Sequence, residues 1–264
     1  MKRKRFSVNR GDTPGSAPGQ LISDPDAAAT TVDLVAFGPT EIVEKHNVGI
    51  EEVAKLKGRY PCLWIDVHGL RDVRLIERLG AEFELHSLAL EDVVSSHQRA
   101  KVEEYPYNLF IVARMISGVG SLETEQLSIF IGEGYVVTFQ PTPSDCFDQV
   151  RNRLRKDNTR IRNSGTDYLA YALLDAVIDA YFPALDAIST KFEELEDAVV
   201  NRPDNAFISE LHRMKHDLLT FRREIPFRHG RNAFLAEQVR DRLAGEQFPP
   251  VDPWTEARGA CDVR

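Results

Sequence analysis

The sequence contains few cysteines, and their spacing suits neither a metal site nor a disulfide framework. Among its 264 residues there are three cysteines, Cys62, Cys146 and Cys261, and no CxxC pair occurs. Zinc sites built from cysteine need closely spaced pairs, and disulfide scaffolds need an even number of cysteines. The cysteine content therefore favours a protein of a reducing compartment.

Long apolar runs are also absent from the sequence. A membrane-spanning helix needs about 18 or more consecutive apolar residues, and the best candidate, LAYALLDAVIDAYF, is interrupted by Asp175 and Asp179. The basic start MKRKR is followed by a polar stretch rich in Gly and Pro, which is not the apolar core of a secretory signal. We therefore expect the chain alone to be soluble and cytoplasmic, with residues 1–30 forming a disordered arm.

The sequence also lacks a net positive charge and recognisable catalytic motifs. The formal net charge is −8 at pH 7, which argues against nucleic acid as a partner because phosphate backbones attract basic surfaces. The sequence contains no nucleotide-binding glycine loop and no zinc-protease or serine-hydrolase motif. An enzyme would have to depend on Glu91, Asp92 and His97 alone, so we predict that the protein is not an enzyme.

Residues 31–165 alternate between strand-like and helix-like patterns. Apolar, β-rich runs cover 34–38, 62–69, 108–117 and 126–141. The last run predicts two strands joined as a hairpin at Gly132-Glu133-Gly134. Amphipathic helical patterns cover 49–58, 71–80 and 145–158. Asp145 is the candidate N-cap of the last helix. The interleaving indicates an α/β or α+β domain in which helices cover one sheet.

From Asp167 onward the apolar residues follow a heptad pattern. Those with alternating spacings of four and three are Leu174, Ile178, Tyr181, Leu185, Ile188, Phe192, Leu195 and Val199. Such a seam predicts a helix over about 166–200, which would be roughly 50 Å long and would project from the domain as a stalk.

A break and a second seam follow this helix. Pro203 cannot continue a helix and ends the first one. The second seam consists of Leu211, Met214, Leu218, Phe221 and Ile225. It predicts an antiparallel return helix, so residues 166–225 form a coiled-coil-like stalk hairpin. Residues 226–264 show several prolines and no periodicity, and we expect an irregular or short-helical tail there.

The long helix has an acidic stripe. Its members fall within an arc of about 40° at 100° per residue, and they are Asp175, Asp179, Asp186, Glu193 and Asp197. A row of hard oxygen donors suits divalent cations. A solvated acidic face, or pairing with arginines of a neighbouring element, would produce the same pattern.

Two further groups could bind a cation. Glu91 and Asp92 lie in the stretch LEDVVSSHQRAKVEEY, and a helix that begins at His86-Ser87 would place both acids in its second turn. Local pairing with Arg99 and Lys101 is the alternative to a binding role. A second group lies on the return helix and consists of His212 and His216, which have the i,i+4 spacing of a zinc pair. The alternative is a solvated helix face beside basic residues.

Several segments together closely resemble the cytoplasmic domain of CorA-type magnesium channels, over about residues 30–225. They are LEDVVSSHQRAKVEEY, ETEQLSIFIGEGYVVTFQ, FDQVRNRLR, DYLAYALLDAVIDAYF, LEDAVVNRP and LHRMKHDLLTFRREI. The resemblance implies an α/β/α sandwich leading into a long stalk helix, five identical subunits, and a place at the cytoplasmic face of the plasma membrane. It also implies two pore-forming membrane helices with a Gly-Met-Asn signature, which this sequence lacks.

The resemblance further implies where the metal binds. In the family, intracellular Mg²⁺ lies between neighbouring subunits and is held by carboxylates, and the matching residues here are Glu91, Asp92 and Asp175. Asp179 joins them only through its place on the acidic stripe. Mg²⁺ retains most of its water, so a few carboxylates suffice to bind it. Co²⁺, Ni²⁺ or Zn²⁺ are alternative ions for the same ligands.

The sequence departs from the family in places that limit its activity. Ala100 replaces the proline that follows HQR in the family, and the pattern ends after about Ile225. In the family, the partner carboxylate of each inter-subunit site lies in this later region, so the resemblance implies that the chain supplies at most half of each site. We predict the cytosolic Mg²⁺-sensing and gating portion of a CorA-like transporter, not competent for transport alone and partnered by further copies or full-length subunits. The alternatives are a ZntB-like zinc transporter domain and a free-standing soluble metal-binding protein.

Overall fold

The computed structural model describes residues 19–95, 98–117, 123–201, 209–215 and 218–219. Predictions about residues 1–18, His97, His216, the outer part of the return helix and the tail lie outside the described residues. The strands are β1 (Thr31–Phe37), β2 (Ile42–Lys45), β3 (Cys62–His68), β4 (Lys101–Glu104), β5 (Asn108–Ile116), β6 (Thr124–Gly132) and β7 (Tyr135–Gln140). The helices are α1 (Ile50–Leu56), α2 (Val73–Glu82), α3 (Ser87–Val94), α4 (Asp148–Arg155), α5 (Arg160–Asn163), α6 (Thr166–Asp179) and α7 (Tyr181–Asn201).

The strands form one mixed sheet of seven in the order β2-β1-β3-β7-β6-β5-β4. Only β3 and β7 are parallel neighbours, at the centre of the sheet, and the other pairs are antiparallel. The hairpin predicted at Gly132–Gly134 joins β6 to β7, and Gly134 has a φ of 76° that favours glycine at this turn.

Both edge strands of the sheet were missing from the sequence prediction. β2 (IVEK) and β4 (KVEE) are each four residues long and contain both Lys and Glu. None of their residues is fully buried. Strands this short and this charged do not show the apolar alternation that identifies a strand in a sequence. Short, charged edge strands are common in natural sheets.

Helices cover both faces of the sheet, which confirms the predicted α/β/α sandwich. On one face, α1, α2 and α3 bury residues such as Val53, Leu79 and Leu90 against the sheet. On the other face, α4, α5 and α6 pack around Trp64 and Leu173. We call these the α1–α3 face and the α4–α6 face. The division is set by strand alternation, since successive side chains of each strand point to opposite faces.

The long helix predicted from the heptad is present with one interruption. α6 ends at Asp179, Ala180 keeps a helical backbone, and α7 runs on from Tyr181. Pro183 has no N–H to donate to the carbonyl of Asp179, so the hydrogen-bond ladder is broken at this point. α6 buries one face in the core, whereas Phe182 in α7 is 59% exposed. The second half of the helix therefore extends beyond the core.

The return helix is shown in part. Residues 209–215 and 218–219 are helical, and Met214 is buried. Glu210 lies 3.1 Å from the ammonium of Lys191 on α7, and it also pairs with Arg213. These contacts place the return segment alongside α7, as the predicted hairpin requires. Phe221 and Ile225 of the second seam lie outside the described residues.

Among the described residues, one helical stretch, Thr166–Glu196, is long and apolar enough to cross a membrane by length and composition. The sequence analysis expected Asp175 and Asp179 to leave no stretch with the length and composition of a membrane span, and this expectation is wrong. Less than half of its most apolar window, 44%, is buried inside the protein, and that part includes Leu169, Leu173 and Val177 in the core of the α4–α6 face. Core helices of globular domains pass the same test, so the stretch is weak evidence for a span.

Candidate metal-binding site

Helix α3 presents the first two candidate ligands, Glu91 and Asp92, which we call the α3 acid pair. The helix begins after His86, whose ring nitrogen accepts a hydrogen bond from the N–H of Leu88 at 3.3 Å. Ala89, Leu90 and Val93 are buried against the sheet, and both acids are partly exposed. The acid pair thus lies in the second turn, as the sequence predicted.

Gln126 on β6 fixes the end of this helix. Its amide nitrogen donates to the carbonyl of Asp92 at 2.7 Å, and its amide oxygen accepts from the N–H of Gln98 at 2.9 Å. Gln126 is buried, and a buried amide with both groups satisfied orients what it binds. The backbone of the α3 acid pair is therefore anchored to the sheet.

Asp92 is already paired with a cation of its own protomer. The ammonium of Lys101 lies 2.6 Å from Asp92 Oδ2 and 2.7 Å from Glu103 Oε1. Tyr105 donates its hydroxyl to the other oxygen of Glu103 at 3.0 Å. Of the two interpretations, a binding role or local pairing with basic residues, the structure shows local pairing for Asp92. The hypothesis that this carboxylate is left without a counter-charge is wrong.

The contacts in this cluster shift the pKa values of Lys101, Glu103 and Tyr105. Burial lowers the pKa of Lys101, but Asp92 and Glu103 outweigh it and raise the pKa above its usual range. Burial raises the pKa of Glu103, and the hydrogen bonds from Lys101 and Tyr105 lower it overall. Burial together with Glu103 raises the pKa of Tyr105 to about 12. The raised pKa of Lys101 and the lowered pKa of Glu103 both favour the ion pair between these two side chains at neutral pH.

Glu91 has a different kind of partner. Its Oε2 accepts a hydrogen bond from the N–H of Gly19 at 2.7 Å. Gly19 has a φ of 83°, and a Cβ at this position would lie 3.1 Å from the hydroxyl of Ser87, so glycine fits the crossing of this segment over α3. An amide N–H is neutral, so this hydrogen bond brings no counter-charge to Glu91.

Helix α6 presents the other two candidates, Asp175 and Asp179, which we call the α6 acid pair. The helix packs Leu173 and Val177 into the core, and this places Asp175 in a partly buried position and Asp179 in an exposed one. The pair lies in the last two turns of α6, which ends at Asp179.

The two acid pairs lie on opposite faces of the sheet but near the same pair of neighbouring strand residues, Arg114 and Gln126. Gln126, which binds the carbonyl of Asp92, is the register partner of Arg114 on β5. The carbonyl of Arg114 accepts a hydrogen bond from Tyr181, two residues beyond Asp179. Because α3 and α6 cover different faces, the sheet separates the pairs within one protomer. A site that used both pairs would need two copies of the chain.

A second polar cluster was missed by the sequence reasoning. Ligand atoms of Asp66, His68 and Asp145 lie within 4.8 Å of one another on the α4–α6 face. Among the described residues this is the one group of three or more such side chains with metal-like spacing. Asp66 and His68 alternate with apolar residues in CLWIDVHG, and this polar alternation inside a central strand was a signal that could have been used.

Arg151 supplies the positive charge of this cluster, which we call the buried ion network. Its guanidinium binds Asp145 through two bonds of 2.9 and 2.6 Å and binds Asp66 at 2.7 Å. It also lies 5.3 Å from the ring of Trp64. Asp66 Oδ1 accepts from Thr138 at 2.6 Å. A metal ion would have to displace the guanidinium, so the network fits a structural role better than a metal site.

The buried ion network also corrects a prediction about Asp145. The sequence favoured Asp145 as the N-cap of a helix over 145–158, but α4 begins at Asp148 with Phe147 as its N-cap residue. Asp145 instead accepts from the N–H of Phe147 at 2.9 Å and binds Arg151. Burial raises the pKa of Asp145, but the guanidinium outweighs it and lowers the pKa overall.

Stability should depend on the protonation of His68. Burial lowers the pKa of His68, but Asp66 and Asp145 outweigh it, so the pKa in the folded protein is raised above 6.5. A raised pKa stabilises the fold at pH values below 6.5, and this stabilisation is lost as the pH rises through the folded pKa. We expect the free-energy difference between the wild type and His68→Gln, measured by urea unfolding from pH 5.5 to 8.5, to shrink with increasing pH.

Leu185→Ala, which changes an exposed side chain without a titratable group, provides the control. It should give a difference that does not depend on pH. A constant difference for His68→Gln across the range would contradict the pairing of His68 with the buried carboxylates.

The fold matches one class of known domains. The structure of the soluble domain of CorA from Methanocaldococcus jannaschii superposes with a TM-score of 0.60 at 16% identity, covering 83% of this chain and 80% of that chain. At this identity the likeness concerns the fold, which is that of the CorA soluble domain.

Sequence comparison gives the family. The model of the family described as "CorA-like Mg2+ transporter protein" matches residues 62–230, and the chain belongs to this family. The family comprises transporters and not enzymes. The "Cobalt/magnesium transport protein CorA" of Thermotoga maritima is 32% identical over 230 residues, which are 85% of this chain and 64% of the relative. The "Putative metal ion transporter YfjQ" of Bacillus subtilis is 32% identical over 190 residues, 70% of this chain and 58% of the relative. The chain thus spans less than two thirds of either relative.

Proposed function

We propose that this chain is the cytosolic, Mg²⁺-sensing and gating portion of a CorA-like magnesium ion transporter, and that it does not transport ions alone. Within such a transporter it would lie at the cytosolic face of the membrane. The observation that supports this best is the placement of the two acid pairs near one rung of the sheet on opposite faces. Each protomer can then offer one pair to each of two neighbours.

The ligand chemistry supports Mg²⁺ at these positions. Glu91 and Asp92 are partly exposed, Asp175 is partly buried and Asp179 is exposed, so water can remain on an ion that they bind. Mg²⁺ gives up its water reluctantly and is bound by one or two carboxylates together with retained waters. The four carboxylates therefore fit this ion without forming a closed cage.

Gating would follow from the charge on both sides of such an interface. Lys101 offsets part of the charge of the α3 acid pair, and the remaining negative charge repels the α6 acid pair across copies when no ion is present. A divalent cation between the two pairs removes this repulsion. A ligand that binds the associated arrangement better shifts the population toward it. Loss of Mg²⁺ would loosen the copies, which we propose to be five as in the family resemblance, and would open the channel that a full-length subunit contains.

Magnesium should raise the melting temperature of the chain. Ligand present at about ten times its dissociation constant stabilises a protein by about 1.4 kcal/mol, which corresponds to about 2–4 °C for a chain of this size. We expect this shift on adding 10 mM MgCl₂ at constant ionic strength, and we expect Asp92→Asn and Asp175→Asn to reduce it. Circular dichroism at 222 nm would follow the transition.

The controls for this experiment separate metal binding from loss of charge. Glu41→Gln removes one exposed charge at the opposite end of the sheet, in the turn after β1, and should leave the shift intact. An unchanged melting curve in Mg²⁺ would count against metal sensing. Parallel titrations with Co²⁺ and Zn²⁺ test the ion, and a clear preference for Zn²⁺ would favour the ZntB-like alternative.

A further inference from the structure

The protein itself provides a cation next to the α3 acid pair, the ammonium of Lys101. Lys101 places its ammonium between Asp92 and Glu103, at 2.6 and 2.7 Å, and 28% of its side chain is exposed. The ammonium of Lys101 also lies over the ring of Phe110, 5.7 Å from the ring centre. The side chain is therefore held at this position by charge on two sides and by an aromatic ring beneath it.

We infer that Lys101 sets the affinity of the α3 acid pair for divalent cations by competing with the ion for Asp92, and that Glu103 receives Lys101 when the ion binds. This inference rests on the proposed function, because it concerns the same site. The ammonium occupies the space next to Asp92 Oδ2 that an ion or its inner water would need. Binding at this oxygen therefore requires the ammonium to move away from it.

Glu103 makes this movement small. It already contacts the ammonium, and its second oxygen is fixed by the hydroxyl of Tyr105 at 3.0 Å, so Glu103 stays in place when Asp92 is taken by an ion. Lysine has four rotatable side-chain bonds, and its compact ammonium can turn from one carboxylate to the other without becoming unpaired. Lys101 thus offsets the charge of Asp92 when the ion is absent, and it pairs with Glu103 alone when the ion is bound to Asp92.

The inference predicts opposite effects for two substitutions. Lys101→Met removes the competitor, so the dissociation constant for Mg²⁺ should fall by about two- to fivefold, the range expected for a partly exposed ion pair. Glu103→Gln removes the alternative partner and leaves Lys101 on Asp92 alone, so the dissociation constant should rise by about threefold. Isothermal titration calorimetry with MgCl₂ on the full chain measures both, and far-ultraviolet circular dichroism checks that each variant folds.

A double-mutant cycle separates competition from general charge effects. If Glu103 acts through Lys101, then Glu103→Gln should change the affinity little in the Lys101→Met background. If the two residues act only through the overall field, their effects on the binding free energy should add, and additivity would overturn the inference. Lys45→Met, which removes a lysine paired with Glu52 at the other edge of the sheet, should leave the affinity unchanged.

The results also distinguish this inference from the proposed function. Equal Mg²⁺ affinities in the wild type and Lys101→Met would refute the role of Lys101 while leaving metal sensing intact. Binding in Lys101→Met but not in the wild type would support the inference strongly. Absence of binding in both proteins would overturn both proposals. If Lys101→Met does not fold, the side-chain nitrogen resonance of Lys101 in the wild type serves instead, and it should shift on addition of Mg²⁺ and stay fixed if Lys101 does not move.

Discussion

Replacing Arg151 with Met should lower the free energy of unfolding by about 3–5 kcal/mol, the range measured when one partner of a buried ion pair is removed. The guanidinium is the shared partner of Asp66 and Asp145, whose side chains are 3% and 6% exposed. Without it, two carboxylates would remain buried beside each other. Each would have to be protonated or hydrated, and both outcomes disturb the packing around Trp64.

Arg155 provides the matched control for this substitution. It lies on the same helix, binds both oxygens of Glu44 and has a side chain that is 47% exposed. Arg155→Met should cost less than about 1 kcal/mol because an exposed pair is well solvated before and after the change. Urea unfolding followed by circular dichroism measures both variants. Similar losses in the two proteins would show that the buried ion network does not depend on Arg151 as described.

Replacing Leu173 with Ala should lower the free energy of unfolding by about 2–5 kcal/mol, the range for a cavity in a well-packed core. Leu173 lies at the middle of α6 and is 0% exposed. The same helix continues into α7, where Leu185 is 37% exposed. Leu185→Ala should change the stability by less than about 0.5 kcal/mol because water already surrounds much of that side chain.

This pair of variants tests which part of the long helix belongs to the core. A large loss for Leu173→Ala together with a small one for Leu185→Ala is expected if α6 folds with the sheet and α7 extends beyond it. Equal small losses would mean that α6 does not stabilise the domain. Unfolding in two separate transitions would mean that the helix unfolds independently of the sheet.

Much of the fold followed from regular patterns in the sequence. The central strands are continuous apolar runs, and the long helix has a sustained heptad, so each shows a period that only one kind of element satisfies. The edge strands β2 and β4 lack such a period because they are short and carry charges. The start of α4 was misplaced because Asp145 has the chemistry of a cap, although a partner on another element binds it instead.

The candidate site was less accessible to sequence reasoning. The resemblance supplied Glu91, Asp92 and Asp175, but periodicity could not place α3 and α6 on opposite faces of the sheet. The pairing of Asp92 was open because Lys101 lies nine residues away, on a strand that had not been identified. The buried ion network joins Asp66 and Arg151 across 85 residues, and a single sequence contains no signal for a pairing at that distance. Whether the four carboxylates bind metal stays a prediction.

The two edge strands have a consequence for how copies of this protein can meet. A sheet grows when a foreign strand adds to an open edge, and β2 and β4 offer only four residues each, with lysine and glutamate side chains along them. Strand-to-strand polymerisation is therefore disfavoured at both ends. The helical surfaces are left for association between copies, and contacts made there, including the ion-dependent contacts that we propose, can separate without breaking the hydrogen bonds of the sheet.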